Sequence, residues 1–78
     1  MKDTIRARIL RELLRQGRID NPHELQQAAR TDTHNVVHVV LSMTRQGLVT
    51  SKRRRISNRD QVPTKIEITD RGIRELER

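Results

Sequence analysis

The sequence lacks cysteine and the three large aromatic residues, with no Cys, Phe, Tyr or Trp in 78 positions. Without cysteine the chain can form neither a disulfide nor a cysteine-ligated zinc site. Without aromatic rings it lacks the platforms on which single-stranded nucleic acids stack, which argues against RRM, cold-shock and OB-type modules. No apolar run approaches the ~18 residues of a membrane span or secretory signal, so we expect a cytoplasmic protein with no membrane partner.

The length and the charge distribution limit the fold and suggest a partner. A chain this short is one domain at most and buries about 60 to 65% of its unfolded surface, which leaves a small core. Residues 45–59 carry six cations and no anion, residues 1–44 seven cations and five anions, and residues 60–78 four cations and five anions. A localised basic patch is typical of proteins that bind a polyanion, although a solvated loop kept for solubility is the alternative.

Helical spacing of apolar residues and capping signals predict four helices. Gly17 is placed to end the first helix. The segment "NPHEL" combines Asn21 as N-cap, proline at the first helical position and Glu24 in a capping box, which predicts the start of the second helix. Asp32 is the predicted N-cap of the third helix, which Gly47 ends. The predicted helices span residues 4–16, 22–30, 33–46 and 70–77.

Between helices 3 and 4 the sequence predicts a β-hairpin, with strands at residues 48–56 and 64–69 and the loop "SNRDQVP" between them. Alternation is clear in the second strand, where Ile66 and Ile68 face one side and Lys65 and Glu67 the other. A short extended segment, "RID", lies between helices 1 and 2. We therefore predict one α+β domain over residues 1–78, mainly helical with a small β-hairpin.

This order of elements resembles a winged helix-turn-helix domain, with the hairpin as its wing. In "ELQQAARTDTHNVVHVVLSMTRQGLV" the apolar positions and the closing "GLV" resemble the core pattern of the MarR, PadR and related bacterial regulator families. "ITDRGIREL" is similar to the "LTxxGxxxL" that follows the wing in those families. The resemblance covers nearly the whole chain and implies a DNA-binding transcriptional regulator, bacterial or phage-encoded.

Two features separate the chain from typical members of those families. Before helix 3, where they often place Gly, the sequence has Arg30 and Thr31. The long flanking helices that dimerise MarR, or that carry the dimer domain of PadR, are missing. The resemblance is therefore to a minimal winged-helix regulator, of the size common in phages and mobile elements.

Helix 3 is predicted to turn an apolar face to the core and a polar face to solvent. At 100° per residue, Val36, Val39, Val40 and Met43 fall in one arc facing the core. Val37 and Leu41 lie between the two faces, where burial and contact with thymine methyl groups are both open. On the polar face, Asn suits adenine, Arg suits guanine, and His, Ser and Thr suit base edges or phosphates. The predicted DNA-binding residues of helix 3 are Thr33, His34, Asn35, His38, Ser42 and Arg45.

The hairpin carries the largest run of cations. Lys52, Arg53, Arg54 and Arg55 are consecutive in its first strand, and Arg59 follows in the loop. Because strand side chains alternate, the four fall as two pairs on opposite faces. We predict that the hairpin binds DNA, with one pair on phosphates beside the major groove and the other toward the adjacent minor groove. The alternative is that the charge keeps an exposed strand from pairing with another chain.

The signals for a metal site and for catalysis are weak. His34 and His38 have the i, i+4 spacing of two helical metal ligands, but the Glu of "HExxH" and a third ligand are missing. Solvated or helix-capping histidines are the ordinary alternative. The chain has no nucleophile elbow, glycine-rich phosphate loop or suggestive carboxylate pair. We expect a protein that is not an enzyme and uses no metal, cofactor or small-molecule ligand.

The sequence thus predicts a sequence-specific double-stranded DNA-binding protein, a repressor rather than an activator, since repression needs only occupancy of a promoter. It would be nucleoid-associated, or act in the host cytoplasm if phage-encoded. The wide apolar arc of helix 1 leaves room for a homodimer contact. Two alternatives stay open on the same fold, a protein–protein adaptor and an architectural or recombination-directionality factor. Duplex RNA is less favoured, because its narrow major groove excludes a helix.

Overall fold

The structure is a computed structural model that describes residues 3–57 and 60–78. Within these residues the chain forms an α+β fold, as the sequence predicted, with four α-helices and a three-stranded antiparallel sheet. A 3-10 turn, Pro22–Leu25, leads directly into the second helix. In chain order the elements are α1 (Ile5–Gln16), β1 (Arg18–Ile19), α2 (Gln26–Ala29), α3 (Thr33–Arg45), β2 (Val49–Arg55), β3 (Gln61–Ile68) and α4 (Asp70–Leu76).

Local capping chemistry sets the limits of α3, the longest helix. The Asp32 carboxylate accepts a hydrogen bond from the Asn35 backbone N–H at 2.8 Å, which satisfies a free donor of the first turn. At the other end Gly47 has φ 76°, a conformation that L side chains rarely adopt. The backbone N–H of Leu48 donates to the Met43 carbonyl at 2.9 Å, so the chain leaves the helix and turns directly into β2.

The segment predicted as a helix over residues 22–30 is only partly α-helical. Its first turn is the 3-10 turn, and α2 is a single turn. The Asn21 backbone N–H donates to the Glu24 carboxylate at 2.9 Å, as the capping signal predicted. Arg30 ends the segment with φ 58° and ψ 42°, the left-handed conformation that glycine usually occupies at a helix end. The prediction of one continuous α-helix was wrong because short helices often begin with a 3-10 turn.

β3 is the central strand of the sheet, between β1 and β2. β1 pairs only with Ile66 and Glu67, whereas β2 pairs along nearly the whole of β3. The register of that second pairing shifts between Thr50 and Lys52, where one residue of β2 opposes two of β3. Lys65 has φ 49° at this β-bulge. Because bulges bend and twist a strand, this one redirects the outer part of the hairpin away from the three-stranded part.

The second strand of the hairpin begins earlier than the sequence predicted. β3 starts at Gln61, so the last three residues of the predicted loop belong to the strand. Pro63 is buried and pairs with Arg53. Proline has no backbone N–H to donate to a second neighbouring strand. None is needed here, because β1 pairs with β3 only at Ile66 and Glu67 and the edge of β3 on that side is unpaired at Pro63. The other predicted limits lie within one residue of those in the structure.

The core lies between α1, α3 and the sheet and is entirely aliphatic apart from methionine. Its largest fully buried side chains are Ile9, Leu10, Leu13, Ile19, Leu25, Val36, Val40, Val49, Met43 and Ile66. Gly72 lets α4 approach closely, since a Cβ there would overlap the Leu48 carbonyl oxygen. None of the described helices has the length and apolar character needed to cross a membrane.

Candidate nucleic-acid interface

α3 has one face in the core and the opposite face in solvent. Val36, Val40 and Met43 are fully buried. Val37 and Leu41, whose environment the sequence left open, are half-buried. Of the predicted DNA-binding residues on this helix, Thr33 and Ser42 are half-buried, and the exposed ones are His34, Asn35, His38 and Arg45. The exposed face therefore offers hydrogen-bonding groups and one cation, with no acid in the helix.

Asn35 is held in place at the start of α3. Its side-chain N–H donates to Thr31 Oγ1 at 3.0 Å, and its backbone N–H is bound by the N-cap Asp32. The amide makes no other hydrogen bond within the part of the chain that the structure describes, which leaves its oxygen and second N–H proton open. An acceptor beside a donor is the pattern that recognises an adenine edge. Thr31, which sequence reasoning did not assign to the site, positions this amide from outside the helix.

His34 and His38 contact each other. Their Nε2 atoms are 3.2 Å apart, and the rings meet edge to face with centroids 4.5 Å apart. A hydrogen bond between two imidazole nitrogens needs one N–H donor and one lone pair, and the tautomers decide which ring donates. Across the described ranges, no cluster of three or more potential metal ligands forms around them. The two predicted residues therefore act as one paired unit on the exposed face.

A pair of hydroxyl groups links α3 to the hairpin. Thr44 donates to the Val40 carbonyl at 2.8 Å, and its Oγ1 lies 3.1 Å from Ser51 Oγ. Ser51 stands in β2 immediately before the run of four cations. Both hydroxyls are half-buried, so the contact is partly shielded from water. This contact holds the exposed face of α3 beside the basic strand, and no sequence pattern predicted it.

The four consecutive cations of β2 are all exposed, and the fifth predicted cation, Arg59, lies outside the described residues. Because Ser51 faces α3, strand alternation places Arg53 and Arg55 on the same side of the hairpin as α3. Lys52 and Arg54 then lie on the opposite side. No ion pair found among the described residues includes any of the four. Their charge is therefore not neutralised by a described carboxylate.

The fold also extends the basic surface beyond the predicted run. Arg18 and Lys65 line one shallow depression of the sheet together with Lys52, next to the β-bulge. Arg18 forms an ion pair with Asp20 at 3.3 Å, and Glu67 lies in the same depression, so this outer surface has mixed charge. Sequence reasoning missed these contributors because they come from separate strands that only the sheet order brings together.

A second group of arginines, on α1 and at the end of α2, has acidic partners. Arg11 binds the Asp3 carboxylate at 2.7 Å, while Arg8 and Arg30 lie 3.6 and 4.0 Å from it. Arg15 binds Glu12 at 2.6 Å. Hydrogen bonds from Arg15 and then Gln16 lower the pKa of the Glu12 carboxyl. Two carboxylates therefore accompany this arginine group, defined as Arg8, Arg11, Arg15 and Arg30, and offset half of its charge.

The apolar arc of α1, which suggested a homodimer contact, is mostly used by the chain itself. Ile9, Leu10 and Leu13 are fully buried in the core. Leu14 is the one large apolar side chain of the helix that is exposed, at 50%. A homodimer through α1 stays a prediction, now with Leu14 as its apolar contact.

No protein-family model, no curated protein and no solved structure matches this chain.

Proposed function

We propose that this chain is a sequence-specific double-stranded DNA-binding protein with winged helix-turn-helix architecture, and that it acts as a transcriptional repressor. One observation carries the proposal. The acid-free exposed face of α3 is linked through the Thr44–Ser51 contact to a strand with four exposed cations that pair with no described carboxylate. A polar helix face beside a basic ribbon matches the two demands of DNA recognition, base reading and phosphate neutralisation.

In this proposal α3 enters the major groove and its first turns read bases. Asn35, oriented by Thr31, pairs with adenine, and the paired His34 and His38 contact neighbouring edges or phosphates. Arg45 at the other end of the helix reaches a guanine or a phosphate. The major groove is about 12 Å wide and admits a helix, so these contacts require no opening of the duplex.

The β2–β3 hairpin acts as the wing. Arg53 and Arg55, on the α3 side, contact the phosphates that border the groove occupied by α3. Lys52 and Arg54, on the other side, reach toward the neighbouring minor groove. Arginine is favoured in narrow, A·T-rich minor grooves because the negative potential is strongest there. The hairpin thus adds both affinity and a preference for flanking sequence.

The direct test is selection of bound duplexes from a random pool by the purified chain. We expect a consensus that includes at least one adenine contacted by α3, with A·T-rich flanking sequence. A palindromic consensus would also indicate that the chain binds as a dimer with two half-sites. Enrichment of no sequence, with binding to neither specific nor random duplex, would contradict the proposal and favour the protein–protein adaptor.

A further inference from the structure

Two large apolar side chains are highly exposed in the described part of the chain, and they differ in their surroundings. Leu14 is 50% exposed on α1, beside the ion-paired arginine group. Ile56 is 63% exposed at the outer end of the hairpin, directly after four cations. Neither belongs to the buried core. The exposure of Ile56 needs an explanation, because an exposed β-branched side chain at the end of a β-hairpin favours aggregation.

The turn that carries Ile56 is held by hydrogen bonds of its own. The Ile56 backbone N–H donates to the Asp60 carbonyl at 3.0 Å. The Asp60 backbone N–H donates to Ser57 Oγ at 3.1 Å, and the same hydroxyl donates to the Asp60 carboxylate at 3.2 Å. These bonds use the backbone of Ile56 and the side chains of its neighbours. Among the described residues, these bonds hold the turn without the Ile56 side chain, which is exposed and available to a partner.

Charge decides which kind of partner can reach this side chain. The strand that leads to Ile56 ends in four cations without a described counter-ion, so the end of the hairpin is attracted to a polyanion and repelled by basic surfaces. On a DNA duplex, the apolar surface beneath the phosphates lies in the grooves and between the stacked bases. Apolar side chains that enter the minor groove beside cations act as wedges between base steps.

We propose that Ile56 enters the minor groove next to the α3 site, partly unstacks one base step and bends the DNA toward the major groove. This inference rests on the proposed function and adds a mode of sequence selection to it. A wedge favours steps that unstack easily, so TA or CA/TG should recur at the flanking position that Ile56 reaches. The residue would then contribute specificity without a hydrogen bond to any base.

The experiment measures bending separately from binding. Duplexes carrying the selected site are labelled at both ends for energy transfer, and 2-aminopurine is placed at successive flanking steps to report unstacking. The parent chain should shorten the end-to-end distance and increase 2-aminopurine fluorescence at one step. Ile56→Ala should lose both signals and bind roughly tenfold more weakly, since burial of the larger side chain is lost. Leu14→Ala, which removes the other exposed apolar side chain, should keep both the bend and the 2-aminopurine signal at saturating protein concentration.

The outcomes separate this inference from the proposed function. If the parent binds the duplex without bending it, or Ile56→Ala bends it as the parent does, the wedge is wrong while DNA binding stands. If the parent does not bind the duplex, the proposed function fails first. Loss of self-association or of binding to anionic vesicles in Ile56→Ala, with unchanged DNA bending, would also overturn the wedge and assign the side chain to that other contact. Ile56→Leu, which keeps an apolar wedge, should retain the bend.

Discussion

The two arginine-rich surfaces of this domain differ in whether acids accompany the cations. On α1 and α2, Asp3 lies within 4.0 Å of three arginines, and Glu12 binds a fourth. On β2, no described carboxylate pairs with any of the four consecutive cations. The number of cations is similar on the two surfaces, so it does not identify an interface. The missing counter-ions on β2 are the observation that supports the proposed DNA interface.

Energetics support this distinction. Exposed ion pairs such as those of the arginine group contribute only about 0 to 1 kcal/mol to stability, so they are of little value to the fold. They do remove net charge from that surface. Adjacent cations without partners repel each other and stabilise nothing within the chain, and their repulsion is relieved only by salt or by an anionic ligand. This difference in counter-ions is why the proposed function assigns the hairpin cations, and not the arginine group, to DNA binding.

The largest expected effect is on the salt dependence of DNA binding. If six cations of the hairpin and α3 each neutralise one phosphate, log K should fall with log salt at a slope of roughly −5, from about −0.9 per contact. Arg53→Ala/Arg55→Ala should reduce the magnitude of that slope by about 2 and weaken binding to every duplex, specific or random. Fluorescence anisotropy titrations at four or more salt concentrations measure both quantities.

Two further double variants make this test specific. Arg11→Ala/Arg15→Ala removes the same number of arginines from the ion-paired surface and should leave the slope unchanged. Lys52→Ala/Arg54→Ala should lose protection and A·T preference outside the α3 site in footprinting. If both hairpin doubles bind like the parent but aggregate more readily, the cations serve solubility, and the contrast between the two surfaces has no bearing on DNA.

The next largest effect concerns base reading by α3. Asn35→Ala or His38→Ala should cost about 1 to 3 kcal/mol on the selected site and much less on random DNA, because lost base contacts remove discrimination. His23→Ala, an exposed histidine of the 3-10 turn, is the control and should bind as the parent does. Equal losses on both DNAs would mean that neither Asn35 nor His38 reads bases.

Features of the fold that depend on residues close in sequence were predictable, whereas features that depend on strand order were not. The limits of α3 depended on neighbours in sequence, Asp32 at its start and Gly47 after its end, and these limits were predictable. The start of β3 was not, because Pro63 is tolerated only where β1 no longer pairs with the strand. The bulge at Lys65 likewise depends on strand order, which no local pattern encodes.

The candidate site, too, could be predicted only where it depends on residues close in sequence. The exposed and buried faces of α3 followed from helical periodicity. The Thr44–Ser51 link between helix and strand needed the tertiary fold, as did the convergence of arginines on Asp3. The pairing of His34 with His38 was suggested by spacing but required rotamers that spacing alone does not determine. Sequence therefore indicated the groups of the site but not how they are held.

A third effect, on stability, tests whether the arginine group is structural. Arg30 has φ 58°, which costs a non-glycine residue roughly 1 kcal/mol, and its distance to Asp3 is 4.0 Å. Arg30→Gly should therefore raise the free energy of unfolding by up to about 1 kcal/mol, since relief of strain exceeds the gain in unfolded-state entropy. Arg11→Gly removes another Asp3 partner from within a helix and should lower it by about 1 kcal/mol.

Urea denaturation measures both glycine variants, and DNA binding measured alongside decides the role of Arg30. If Arg30→Gly is more stable and binds DNA as the parent does, the contrast between paired and unpaired arginines stands. If Arg30→Gly is more stable but binds DNA at least tenfold more weakly, Arg30 belongs to the DNA interface. The ion-paired arginine group would then bind DNA as the hairpin does, and the contrast between the two surfaces would be wrong.

The smallest expected effect is the pH dependence contributed by Glu12. Hydrogen bonds from Arg15 and Gln16 lower the pKa of this carboxyl below its ordinary value of 4.5. A carboxyl with a depressed folded-state pKa stabilises the fold above its unfolded pKa, and that contribution is lost as pH falls through the folded value. Glu12→Gln should therefore lower Tm slightly at pH 7, and the difference should disappear in strong acid. Glu77→Gln, at the end of α4, controls for loss of one negative charge. A Tm difference that is the same at pH 7 and below pH 3 would show that Glu12 acts through packing, so that its pairing with Arg15 does not stabilise the fold.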